Sequence, residues 1–286
     1  MRTDGCAQVR AIELQVGDHT HEALTCGPED GRLVLFLHGF PTTEAMWRPV
    51  LRELGGRGWR AVAPRQRGYA PRAQPSGRTA YAIDHLVEDV LGFADALGVE
   101  RFHLVGHDWG GIVGWMAASA HPERIRSFCS LSTPHPAALA RSMRGVQAAR
   151  SAYVGLFQLP VVPELLLGAA GRSGLRIVLQ RSGLPSAVAR GYADSLDAHS
   201  LHHALDWYRQ VDPMPFVRAD GIRVPTLFVW GRRDPALGRA AAEATTAFVL
   251  GPYRFVELDA SHWLVESRCA DVTELIDDHL RTQPAA

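Results

Sequence analysis

Gly106-His107-Asp108-Trp109-Gly110 sets a carboxylate between glycines, directly after an apolar run from Phe102 to Val105 and at the head of a helical stretch, Gly111 to Ala120. Strand, turn and helix in that order describe a nucleophile elbow, where glycines let the chain bend sharply around one exposed reactive residue. Asp108 holds that position; the competing role is an ordinary helix N-cap. As a nucleophile, a carboxylate has a specific use. A serine attacking a saturated carbon would leave an ether that water does not readily cleave, whereas a carboxylate leaves an ester that can be hydrolysed at its own carbonyl. An aspartate at the elbow therefore implies attack on an sp³ carbon. The oxyanion of the second step then forms on the enzyme's own carboxyl group, so donors must stand near Asp108.

Hydrolysing that ester needs a base. Among thirteen histidines, His262 follows the apolar run Arg254 to Leu258 by a few residues, which places it on a late loop at the carboxyl edge of a sheet. Asp234, in Trp230-Gly231-Arg232-Arg233-Asp234-Pro235, is the candidate to orient His262 and balance its charge. A helix N-cap before Pro235 is its rival role. Asp259 lies nearer His262 in sequence, but it would have to fold back within one loop.

The elements that must position these residues are also legible. Leu33 to Leu37, Arg60 to Ala63, Phe102 to Val105, Ile125 to Leu131, Thr226 to Trp230 and Arg254 to Leu258 are short apolar runs that read as strands buried on both faces. Helical patterns lie between several of them, clearest in the stripe Leu86, Val90, Phe93 and Leu97. That alternation predicts right-handed βαβ units and a mostly parallel central sheet with helices on both faces. Val9 to Val16 and His21 to Cys26, joined at Gly17-Asp18, predict an antiparallel hairpin. After Ser132 the rhythm stops. From Thr133 to about Asp220 the chain is rich in Ala, Leu and Arg, with breakers at Pro160, Pro163, Gly183-Leu184-Pro185 and Pro213/Pro215, and it reads as a helical insertion.

His38-Gly39-Phe40-Pro41, Gly106-His107-Asp108-Trp109-Gly110-Gly111, Trp230-Gly231 with Asp234, and Ser261-His262-Trp263 together resemble the epoxide hydrolase branch of the α/β-hydrolase superfamily. The likeness covers nearly the whole chain, including Arg65-Gln66-Arg67-Gly68-Tyr69. It implies an α/β class and the α/β-hydrolase fold, with residues 1–132 and 221–286 as core and 133–220 as a helical cap. The order nucleophile, acid, histidine is that of this fold, and its oxyanion hole would use the backbone N–H groups of Trp109 and Phe40. The resemblance further implies a cis Phe40–Pro41 bond and substrate contact by Phe40, Trp109 and Trp263. His38 is expected to be a packed, hydrogen-bonded histidine.

Opening an epoxide generates an alkoxide, a poor leaving group that needs a proton or a strong hydrogen bond. A phenol, with a pKa of about 10, supplies one while neutral at pH 7. Tyr153 in Tyr-Val-Gly-Leu-Phe-Gln-Leu-Pro and Tyr208 in Leu-Asp-Trp-Tyr-Arg resemble the places where epoxide hydrolase caps carry paired tyrosines; Tyr192 has no matching context. Haloalkane dehalogenases share the Asp–Trp elbow but place Asn where this chain has Phe40, and fluoroacetate dehalogenases place Arg where it has Trp109. A ligand-binding relative without turnover is the alternative from another class, against which the intact Asp108, Asp234 and His262 argue.

Composition narrows the partners. Thirty basic residues balance thirty acidic ones with no long like-charge run, which removes the footprint of a nucleic-acid binder. No stretch reaches the roughly 18 apolar residues that span a bilayer, and the polar Met1 to Arg10 is unlike a signal peptide, so a cytoplasmic protein is expected. Cys6, Cys26, Cys129 and Cys269 show no CxxC pairing, and neither metal nor cofactor is implied. The expected partners are a small apolar epoxide and water, with homo-oligomerisation left open.

Overall fold

The computed structural model describes residues 8–143, 147, 150–210 and 221–283. Cys6, the Pro213/Pro215 breakers and the expected boundary near Asp220 lie outside them. The predicted hairpin is β1 (Arg10–Val16) against β2 (His19–Cys26), antiparallel with Val16 opposite His19. Gly17 takes the tight turn with φ +53°, where an L side chain is disfavoured. The alternating units follow: β3 (Leu33–Leu37), α1 (Arg48–Gly56), β4 (Arg60–Pro64), α2 (Ile83–Ala96), β5 (Phe102–His107), α3 (Trp109–Ala120) and β6 (Ile125–Leu131).

Past β6 the chain leaves the sheet. The described residues there form α4 (Pro136–Arg141), α5 (Ala152–Phe157), α6 (Val162–Arg181), α7 (Ser186–Ser195) and α8 (Ala198–Arg209). Pro163 starts a helix rather than breaking one: it stands in the first turn of α6, where the missing N–H would have no partner anyway. The chain re-enters as β7 (Thr226–Gly231), α9 (Arg239–Ala244), β8 (Tyr253–Leu258), α10 (Leu264–Ser267) and α11 (Cys269–Arg281).

The sheet runs β1-β2-β4-β3-β5-β6-β7-β8, with β1–β2 and β2–β4 antiparallel and every other pair parallel. Period-2 alternation divides its side chains between two cores. From β3, Leu35 and Leu37 join the core beneath α2 and α3 with Phe93, Val113 and Trp115. Val34 and Phe36 join the opposite core with Leu51 of α1 and Ile276 of α11. All five β3 residues are buried, which stabilises the fold by about 1.5–3 kcal/mol per large side chain. Strand β8 departs from the expectation of two buried faces. It is half-exposed because it ends the sheet.

Connections from β3 run one way to β4, while β5 lies on the other side of β3. The carboxyl ends of β3 and β5 therefore flank a topological switch point, the place where open α/β sheets leave a crevice.

Candidate active site

Two loops meet at that crevice. Asp108 joins β5 to α3 with φ +53° and ψ −121°, a strained conformation for a residue with a Cβ. Glycine makes the approach possible. A Cβ on Gly39, in the loop after β3, would lie 2.3 Å from the Asp108 Cβ, and one on Gly110 would lie 2.2 Å from the Leu37 carbonyl oxygen. With both absent, the Phe40 N–H reaches Asp108 Oδ1 and donates at 2.8 Å. The Trp109 N–H also holds the carboxylate. The Phe40–Pro41 bond is cis, as expected.

His262 stands on the loop between β8 and α10 with its Nε2 3.4 Å from Asp108 Oδ2. Its Nδ1 meets Asp234 Oδ2 at 2.7 Å. Asp234 comes from the loop after β7, and its Oδ1 accepts from the N–H groups of Ala236 and Leu237 at 2.8 and 2.9 Å. Asp259 is not part of this line; it pairs at the surface with Arg232 and Arg233. Burial works against charge on both Asp108 and His262, and the partners outweigh it. The His262 hydrogen bond and charge hold Asp108 below the usual carboxylate range. The Asp234 charge and the hydrogen bond to Asp108 raise His262 to about 10. The resting site is thus an imidazolium between two carboxylates.

Tyr153 of α5 and Tyr208 of α8 face this centre. A cavity with lobes of about 250 and 320 Å³ is lined in both lobes by Asp108, Tyr153 and Tyr208. Trp109 borders one lobe, and Phe40, His262 and Trp263 border the other. The tyrosine ring centroids are 6.2 Å apart. Phe157 packs edge-on against both of them and against Phe40, which locks the aromatic wall. Burial and the nearby Asp108 charge push the Tyr208 phenol well above its ordinary pKa, and the same influences raise that of Tyr153, which is 37% exposed, so both keep their protons. Tyr192 belongs elsewhere: its hydroxyl donates to Glu266 and its ring lies against Trp263.

A solved structure with this architecture, the Bacillus megaterium epoxide hydrolase in complex with an inhibitor, aligns with a TM-score of 0.85 and 27% identity, over 94% of this chain and 100% of that one. The family model for the alpha/beta hydrolase fold matches residues 32–268. Epoxide hydrolase A of Mycobacterium tuberculosis is 32% identical over 89% of this chain and 92% of its own length. The chain belongs to the epoxide hydrolase branch of the α/β-hydrolase fold. Epoxide hydrolase 3 of Xenopus tropicalis is also 32% identical, over 89% of this chain and 73% of that protein.

Sequence reasoning missed the groups that hold the His262 backbone. The Ser132 hydroxyl and His107 Nε2 both donate to the His262 carbonyl, at 2.7 and 3.0 Å, and Ser132 takes φ +63° to do so. Only their places beside β6 and the elbow could have hinted at this. His38 is the structural histidine expected. Buried and held neutral by burial, at about 3, it accepts from the Gln66 N–H at 3.2 Å, while the Gln66 side chain donates to the His38 carbonyl at 2.6 Å. Among the described residues, His202, His203 and Asp206 form a group whose ligand atoms lie within 4.8 Å of one another. None of them lines the cavity, and Arg209 already holds Asp206 at 3.2 Å. No described helix is long and apolar enough to cross a membrane.

Proposed function

We propose that this enzyme converts an epoxide to a vicinal diol through a covalent ester on Asp108, beneath a helical cap formed within residues 133–220. One observation carries the reading: the two oxygens of Asp108 are already differentiated. Oδ1 rests on the Phe40 N–H, and Oδ2 faces the histidine. Attack by Oδ2 on an epoxide carbon leaves Oδ1 as the ester carbonyl, already on the donors that the second-step oxyanion needs.

In the first step the Oδ2–C bond forms, the epoxide C–O bond breaks, and the alkoxide takes a proton from Tyr153 or Tyr208. Esterified Asp108 is neutral, so His262 loses one of the two anions that hold its proton. That proton replaces the one the tyrosine gave, and a neutral imidazole remains. In the second step His262 takes a proton from water while the water oxygen bonds to the ester carbon. Collapse expels the second diol oxygen, which takes the proton back. The Asp108 carboxyl then yields its own proton to His262, restoring the resting pair. Water enters the diol and nothing else is consumed. Phe40, Trp109 and Trp263 give the substrate apolar surroundings, and Phe40 in place of Asn disfavours halide release.

The test separates the two steps. Removing the imidazole blocks hydrolysis more than alkylation, so His262→Gln mixed with styrene oxide should gain one substrate mass on the peptide containing Asp108, and Asp108→Asn should gain none. An adduct on any other residue, or no adduct while the wild type turns over, would overturn Asp108 as nucleophile.

A further inference from the structure

Helix α8 carries His202, His203 and Asp206 on adjoining turns, and none of the three lines the cavity. They are the only group of this kind among the described residues, one potential ligand atom from each lying within 4.8 Å of the others. His202 Nε2 and His203 Nδ1 each stand 3.7 Å from Asp206 Oδ2, too long for a hydrogen bond. The remaining contacts fix what these atoms offer. His202 Nδ1 meets Glu164 Oε1 of α6 at 2.9 Å, so a neutral ring that donates there leaves its Nε2 lone pair toward Asp206. Asp206 Oδ1 accepts from Arg209 at 3.2 Å, and Arg209 also pairs with Glu164 at 2.9 Å. The His203 ring is stacked on Tyr81 at 5.4 Å, and its Nδ1 is buried with no hydrogen-bond partner among the described residues. Two imidazole nitrogens and a carboxylate oxygen thus face one another without a donor between them.

Three converging acceptors call for a cation. We propose that His202, His203 and Asp206 form a binding site for a divalent metal ion of the zinc type on the outer side of α8. Zinc bonds of about 2.0–2.2 Å in a tetrahedron place neighbouring ligand atoms about 3.3–3.5 Å apart, so a shift of a few tenths of an ångström brings the 3.7 Å pairs onto one ion. The contact between Glu164 and His202 Nδ1 is the carboxylate–histidine arrangement that orients metal-binding imidazoles. Two nitrogen donors favour Zn²⁺ over Mg²⁺ or Ca²⁺, which take oxygen shells. Charge limits the affinity. Arg209 and, at 3.8 Å from Asp206, Arg78 already balance the two carboxylates, and half-exposed His202 leaves the remaining coordination position to water. Binding is therefore micromolar, and it fastens α8, which presents Tyr208 to the cavity, to α6 through Glu164.

Calorimetric titration of the untagged chain with Zn²⁺ tests this without any turnover. One ion per chain should bind with a micromolar Kd, and Mg²⁺ at the same concentration should not bind. His202→Gln, at a half-exposed position where folding is undisturbed, should weaken zinc by about tenfold or more, and so should His203→Gln. His85→Gln is the control: it removes an imidazole from the exposed pair with Glu88 and should leave the zinc isotherm unchanged. Cobalt in place of zinc reports the donor atoms. The site holds no sulfur, so bound Co²⁺ should show no thiolate charge-transfer band. Zinc affinity that survives both His202→Gln and His203→Gln overturns the proposal, as does a cobalt–thiolate band, which would place the metal on a cysteine. Absence of saturable zinc binding to the wild type also overturns it, and would identify His202 as an imidazolium held between Glu164 and Asp206.

Discussion

His262 keeps its proton because two carboxylates face it, Asp234 at 2.7 Å and Asp108 at 3.4 Å, against the pull of burial. In the proposed mechanism only one of those anions survives alkylation. The pKa that governs ester breakdown should therefore lie below the value of about 10 that the resting pair confers. Pre-steady-state tryptophan fluorescence across pH reads it directly, with breakdown quickening as pH rises through that pKa. An apparent pKa of 10 or above would show that Asp108 contributes nothing to holding the proton. Asp234→Asn removes the charge that remains after alkylation while keeping the shape, so it should slow ester breakdown by about 10²–10⁴-fold and alkylation much less. Equal slowing of both steps would assign Asp234 to structure alone.

At the scale of elements, the elbow depends on two backbone segments approaching more closely than side chains allow. Gly110→Ala would place a Cβ 2.2 Å from the Leu37 carbonyl, an atom fixed in a buried strand end, so the β3 and β5 loops must separate. Overpacking of this kind costs about 1–3 kcal/mol or more. The separation should also weaken the Phe40 hydrogen bond to Asp108. Gly155→Ala is the control: it lies in α5 with no atom near the added Cβ, and it should stabilise by about 0.5–1 kcal/mol. Urea midpoints of the two variants decide the matter, and a Gly110→Ala protein as stable as the wild type would disprove the close approach.

For the whole molecule, stability on the acid side is governed by buried histidines. Burial lowers His38 and His103 to about 3, and His107, His135 and His279 to about 4. A depressed folded pKa means that the unfolded chain binds the extra proton between the folded value and 6.5. Stability therefore rises with pH through that window and is lost as pH falls. At pH 5.5 each such histidine costs on the order of 1 kcal/mol relative to neutral pH. His262 has the opposite sign: its contribution is full below 6.5 and fades as pH climbs toward 10. Urea unfolding should show maximal stability near neutrality and a steep drop by pH 5.5. A flat profile from 7.5 to 5.5 would mean these rings are not buried neutral.

What the sequence determined by itself is what short-range chemistry encodes. Apolar runs mark strands, the stripe of Leu86, Val90 and Phe93 marks a helix, and glycines around Asp108 mark a turn that only a few residues can make. Each signal is complete within a dozen residues. The choice of Asp234 over Asp259 was decided only by the tertiary structure, because β7 and β8 are parallel neighbours and their carboxyl-end loops open on the same edge. The convergence of Tyr153, Tyr208 and Phe157 on one cavity belongs to the packing of α5 and α8, and the exposure of β8 to its place at the sheet edge. Ser132, His107 and Arg150 left no local mark, since their partners are carbonyls on loops far along the chain. A carbonyl is the same group in every residue, so no side-chain pattern announces which one a donor will meet.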